Sequence, residues 1–172
     1  MDKIGYRGEI TIISTLRNGK KITKKYHNHG TPDLFKFLVN CLVRTEGVFG
    51  GAPRLIDVVS ADSGDNAGKT ILKSKRIIGA RPVLETASST SAENKWFAEF
   101  SAVITKSDLA DNASGVQNVK LKLYDGSKES VLLAETDNAM ANFLFGLSTQ
   151  VAISAQIVWR MYFENVTTGG NS

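Results

Sequence analysis

Apolar positions in this chain recur mostly at every second residue, and the longest such run lies near the C-terminus. From Val151 the alternate positions are Ile153, Ala155, Ile157, Trp159, Met161 and Phe163, with Gln150, Ser154, Gln156, Arg160 and Glu164 among the residues between. Successive strand side chains point to opposite faces, so this pattern predicts a strand over 150–164. At about 3.3 Å per residue it would extend roughly 45 Å, enough to cross a whole domain. The expectation is a central strand whose Trp159 face meets the core.

The same period opens the chain. Ile10, Ile12 and Leu16 alternate over 6–16, and Ile22 and Tyr26 recur after Arg17-Asn18-Gly19-Lys20. A two-residue Asn18-Gly19 turn would place Lys21 opposite Leu16 and Lys25 opposite Ile12, on the apolar face. A three-residue loop, 17–19, with Gly19 left-handed, instead sets Lys20 opposite Leu16 and Ile22 opposite Ser14. That register is preferred, with Lys21, Thr23 and Lys25 turned to solvent or to a partner.

One stretch shifts to helical spacing. Thr31 is a good N-cap, Pro32 fits the first turn and Asp33 suits the helix dipole. Leu34, Phe35, Phe37, Leu38, Cys41, Leu42 and Val43 follow, and Gly47 ends the run, predicting a helix over about 32–44 that is buried on the sheet or plugs one end. Further strands are predicted over 54–61, 70–78, 80–86, 96–105, 119–124 and 130–135. Pro82 argues for an edge or a bulge in its strand. Asp125-Gly126 marks a hairpin turn, and Phe143-Leu144-Phe145 must pack against something, although 137–146 has no clear period. Eight or nine strands with one helix and no βαβ alternation predict a mainly β chain, an antiparallel two-sheet β-sandwich of jelly-roll type. It reads as one domain over 1–166, with a flexible tail over 167–172.

Composition narrows the class. The chain has 172 residues, 42% of them hydrophobic, which is enough for a core. No apolar run reaches the roughly 18 to 20 residues that a membrane span needs, and the first residues lack a signal-peptide core, so synthesis in a cytoplasm is expected. The formal charge of +4 comes from 21 basic and 17 acidic residues. This mild excess permits an acidic partner; nucleic acid is possible but not favoured, since no dense basic stripe interleaved with aromatics is present. The single cysteine, Cys41, excludes an intrachain disulfide and fits a small core residue.

Reaction chemistry is sparse. His27-x-His29 offers two imidazoles on one face, as in some metal-binding β-sandwiches, but the chain has no third histidine. The favoured alternative is a strand end bonding the following helix cap. Asp62, Asp65 and Asn66 resemble a calcium loop only loosely and read better as a solvated turn. Glu85, Glu99, Glu129 and Glu135 show no carboxylate pairing. Nucleotide-binding and nucleophile-elbow motifs are absent. No catalytic residue, metal ligand or cofactor is therefore assigned, and a non-enzymatic protein is expected. Two basic groups remain, Lys20, Lys21, Lys24 and Lys25, then Lys69, Lys73, Lys75 and Arg76. A solvated or guarded strand edge explains such groups most simply. The other reading is docking, and the candidate contact residues are Lys20, Lys21, Lys24 and Lys25 with Ser88, Ser89 and Thr90 in the small, polar 86–93 connection.

The segments His27-Asn28-His29-Gly30-Thr31, Leu34-Phe35-x-Phe37-Leu38 and Cys41-Leu42, with the ending Ala155-Gln156-Ile157-Val158-Trp159-Arg160-Met161-Tyr162-Phe163-Glu164-Asn165, resemble small virion proteins of tailed bacteriophages. The likeness covers about the first 45 and last 20 residues. It implies a structural component at the tail, baseplate, collar or head surface of a virion, made in the host cytoplasm and assembling with copies of itself and with other virion proteins. The competing reading is a carbohydrate-binding sandwich for host recognition, using Trp96, Phe97, Tyr124 or Tyr162 as stacking platforms.

Overall fold

The computed structural model describes residues 3–43, 53, 55–85, 95–111, 113–125 and 131–166. The strands are β1 (Lys3–Leu16), β2 (Lys21–Gly30), β3 (Leu55–Ser60), β4 (Thr70–Arg76), β5 (Gly79–Glu85), β6 (Lys95–Ile104), β7 (Asn118–Tyr124), β8 (Leu132–Thr136), β9 (Met140–Ala141) and β10 (Ala152–Val166). Helix α1 (Pro32–Val43) follows β2, and the single-turn helix α2 (Phe145–Ser148) precedes β10. All strand pairs are antiparallel and join one sheet in the order β4-β3-β7-β8-β2-β1-β10-β6-β5, with β9 also on β7. The mainly β, antiparallel expectation holds. The division into the two sheets of a jelly roll is not seen among the described residues; one sheet curls into a half-barrel instead. Its two ends approach where Leu72 of β4 bridges Leu109, just beyond β6, and the Ala110 N–H donates to the Ile71 carbonyl at 3.0 Å.

Strand alternation puts the core on the concave face. Ile10 lies opposite Trp159 and Trp159 opposite Phe100, while Ile12, Ile157 and Ala102 form the next row. All six are buried. Burying such side chains stabilises the fold by about 1.5 to 3 kcal/mol each relative to exposure. From the other arm come Ile56, Val58, Leu121, Leu123 and Leu133, completing one continuous cluster.

β10 is central, between β1 and β6, as the alternation predicts. Its first residues are not in phase with the rest. A bulge lies between Thr15 and Leu16, and Leu16 pairs with Ala152 instead of continuing the register. Ala152 is therefore buried, while Val151 and Ile153 are exposed at 57% and 55%. The hairpin forms in the three-residue register: the Leu16 N–H donates to the Lys20 carbonyl at 2.8 Å, Ser14 faces Ile22, and Gly19 has φ of 80°. Pro82 lies on β5, at the end of the sheet, where a missing N–H costs least.

Helix α1 packs on β8 and β2 through buried Leu34, while Phe35 and Lys36 face outward. Thr31 does not act as the simple cap expected of it. Its hydroxyl turns to β8 and donates to the carbonyls of Leu132 and Leu133, fastening the helix start to the sheet. The side chain of Cys41, the stop at Gly47, Gly126, the 167–172 tail and the candidate contacts Ser88, Ser89 and Thr90 lie outside the described residues.

Candidate functional site

The concave face is open at one corner. Ile12, Ser14, Leu16, Ile22 and Lys24 from the β1–β2 hairpin form one wall of a cleft of about 220 Å³. Phe143, Gly146, Val151 and Ala152, on the approach to β10, form the other. The floor is mostly apolar, and Ile22 remains 41% exposed and Val151 57% exposed. Phe145, on the neighbouring turn of α2, is also half in solvent at 51%. Scattered exposed apolar residues are ordinary, whereas a contiguous group around a concavity marks a contact surface.

Both walls are fixed by hydrogen bonds. The Arg17 N–H donates to the Val151 carbonyl at 3.1 Å, and the Arg17 guanidinium donates to Gln150 Oε1 at 2.8 Å, so the hairpin tip is tied to the turn before β10. Gln150 has φ of 61°, which bends the chain back toward the hairpin. Asn142 holds the far wall: its Nδ2 donates to the carbonyls of Ala113 and Val116 at 2.9 and 2.7 Å, and its Oδ1 accepts the Leu144 N–H at 3.0 Å. The Phe143-Leu144-Phe145 cluster thus divides its work, with Leu144 in the core, Phe143 lining the cleft and Phe145 exposed.

The four candidate lysines all lie on this hairpin. Lys20, Lys21, Lys24 and Lys25 are exposed, and among the described residues none of their ammonium groups makes an ion pair. They do not share one face. Lys25 pairs with Thr11 and Lys21 with Thr15 on the convex side, whereas Lys24 pairs with Ile12 and rims the cleft. The preferred register already implies this placement, because Ser14 opposite Ile22 requires Ile12 opposite Lys24. In the second basic group, Lys69 donates to Asn66 Oδ1 at 3.3 Å; the side chains of Lys73, Lys75 and Arg76 lie outside the described residues.

The other polar candidates are engaged in holding the fold. His29 Nδ1 lies 2.8 Å from Asp137 Oδ1 and its Nε2 lies 3.4 Å from Glu135 Oε1, so the ring joins β2 to β8 and the turn after it, not to the helix cap. Asp62 accepts the N–H groups of Gln117 and Asn118 at 2.8 and 2.9 Å and Asn118 Nδ2 at 3.0 Å. These donors, the Gln117 N–H foremost, hold its carboxyl below the usual carboxylate range. Its oxygens therefore bind backbone where a calcium loop would offer them to an ion. Among the described residues no three His, Cys, Asp or Glu side chains converge as metal ligands.

The convex face carries a charged row. Glu99 on β6 accepts from Arg81 of β5 at 2.8 and 3.0 Å and from Arg160 of β10 at 2.9 Å. Burial pushes the Glu99 carboxyl up, but the two guanidiniums outweigh it and leave the group below its ordinary value. Arg160 also lies over the Phe97 ring at 4.9 Å, and Arg7 over Tyr162 at 4.6 Å. Phe97 and Tyr162 are buried, so neither ring offers an open face for stacking a sugar; Tyr124 is half-buried, and the Trp96 side chain lies outside the described residues. The side chains of Glu85 and Glu129 also lie outside them.

Among the described residues no helix is long and apolar enough to cross a membrane. No protein-family model, curated protein or solved structure matches the chain.

Proposed function

We propose that this protein is a non-enzymatic structural component of a particle, working by docking on other proteins and on copies of itself. The observation that carries this reading is the cleft, where Ile22 and Val151 stay in solvent at 41% and 57% on facing walls of one braced concavity. A chain that folds alone gains by burying such groups, so leaving two of them together over a mostly apolar floor favours a surface completed by a partner. Curled sheets and two-sheet sandwiches, the jelly roll included, share long edges and loop clusters suited to repeated contacts. The polar groups described above, Glu99, His29 and Asp62, are occupied with internal partners, which further favours a structural role.

The resemblance of both ends of the chain to small virion proteins of tailed bacteriophages supplies the class of particle. The proposal is a tail, baseplate, collar or head-surface component. Density-banded particles prepared from the source culture test it, with the chain sought by mass spectrometry. Its presence in the particle band at stoichiometric amount is the expected result. Its confinement to the soluble lysate would overturn the virion reading.

A further inference from the structure

Among the described residues, half of β2 has no neighbour on one side. β8 pairs with β2 only at Asn28–Gly30, through Thr136, Glu135 and Ala134, and then the chain turns away at Asp137 toward β7. Over 21–26, among the described residues, β2 is bonded only to β1. Lys21, Ile22, Thr23, Lys24 and Lys25 are all exposed although they lie inside a strand.

The ladder fixes which backbone groups are open. In an antiparallel pair, residues that bond across the ladder alternate with residues that direct their N–H and C=O the other way. The Leu16 N–H to Lys20 carbonyl bond sets that alternation, so Ile22, Lys24 and Tyr26 bond to β1, while Lys21, Thr23, Lys25 and His27 point outward. The last of these is independently visible, because the His27 carbonyl accepts the Asp137 N–H at 3.2 Å. Among the described residues, Lys21, Thr23 and Lys25 thus present a row of unpaired donors and acceptors, in line with β8 and beside the apolar cleft.

We infer that this edge accepts an extended segment of another protein, one that alternates acidic and apolar residues. This rests on the assembly reading above and names its partner chemistry. Strand addition supplies the backbone bonds, and alternate side chains supply selectivity. On the cleft side an added strand lies beside Ile22, an exposed residue of the cleft lining, which calls for apolar residues. On the convex side it meets Lys21 and Lys25, which call for carboxylates, and Lys24 adds a third cation at the cleft rim. A second copy of β2 does not fit, since pairing the same edges brings lysine against lysine. Lysines alone would suffice to guard an edge against aggregation, but a guard does not explain the apolar cleft beside it.

The test uses the full chain and a blocked ten-residue peptide of alternating glutamate and valine, with its lysine–valine counterpart as control. Amide hydrogen exchange at Thr23 and Lys25 is the readout. The acidic peptide slows both by at least about tenfold, and the control leaves them unchanged. Thr23→Pro removes an outward N–H without breaking the β1 ladder, and abolishes the protection. Lys21→Glu with Lys25→Glu weakens binding about tenfold and reduces its salt dependence. Binding of the acidic peptide without protection at these two amides overturns the inference, as does equal protection by the lysine peptide or no protection by either. The two proposals fail separately. A chain absent from particles but protected by the peptide loses the virion reading alone, and a particle component with unprotected amides loses the edge alone.

Discussion

Gly8 lies directly opposite Asn28 in the β1–β2 ladder, and a Cβ added at Gly8 would come 2.0 Å from Asn28 Oδ1. The Asn28 side chain occupies that space because its Oδ1 accepts a hydrogen bond from the Tyr6 hydroxyl, within the buried concave face. Gly8→Ala is therefore expected to lower stability by about 2 kcal/mol, since the crowded group is buried and hydrogen-bonded. Chemical denaturation of Gly8→Ala, Asn28→Ala and the double variant checks this. The double variant should be no less stable than Asn28→Ala alone, because the clash has gone.

Glu99 gives the fold a pH dependence with a definite sign. Its carboxyl is held below the ordinary value of 4.5 by Arg81 and Arg160 against the effect of burial. The folded state therefore prefers the carboxylate, and that contribution is complete above the unfolded value and disappears as pH falls through the lower folded one. Glu99→Gln should cost about 1 to 2 kcal/mol at neutral pH, a modest figure because Arg81 is largely in solvent. Denaturation curves of the two proteins should draw together as pH falls below the ordinary carboxylate range.

Asp62 and Asp65 lie in one loop and should behave differently. Asp62 binds two backbone N–H groups and an amide of the facing segment, whereas Asp65 is an exposed residue of the turn. Asp62→Ala should lower the thermal midpoint and Asp65→Ala should leave it unchanged. Millimolar calcium should not raise the midpoint of the wild type, because the Asp62 carboxylate is already engaged.

The β10 bulge separates two residues that sequence alternation places on one face. Trp159→Leu should cost about 3 kcal/mol, since the ring is fully buried between Ile10 and Phe100. Ile153→Ser, six residues earlier, should change stability by less than about 0.5 kcal/mol, because its side chain is exposed. Equal large losses at both positions would contradict the bulge.

What was legible in the sequence follows the range of the forces involved. The hairpin register is local, set by Gly19 at the turn and by keeping Ile22 opposite Ser14, and the structure has it. The central place of β10 follows from its length, since a strand that crosses the whole domain has the most backbone to pair, and the structure has it between β1 and β6. The bulge at Ala152 is not, since it depends on how β1 ends 136 residues earlier. Thr31 looks like a cap in sequence but finds carbonyls about a hundred residues away on β8. The single curled sheet was likewise hidden, because alternation identifies strands without naming their neighbours.

The candidate site was half legible. The lysines of the hairpin stand out in sequence, but the opposing wall at Phe143, Gly146 and Val151 comes from a stretch with no clear period. Its only signal was the Phe143-Leu144-Phe145 triplet, too apolar for a free loop. The unpaired half of β2 depends on where β8 leaves it, a topological fact that local pattern does not carry.

Assembly is the property on which the functional proposal depends, and static light scattering of the full chain at two well-separated concentrations measures it directly. A mass above the 18.7 kDa of one chain, rising with concentration, is the expected result. A mass of 18.7 kDa at both concentrations would contradict self-assembly.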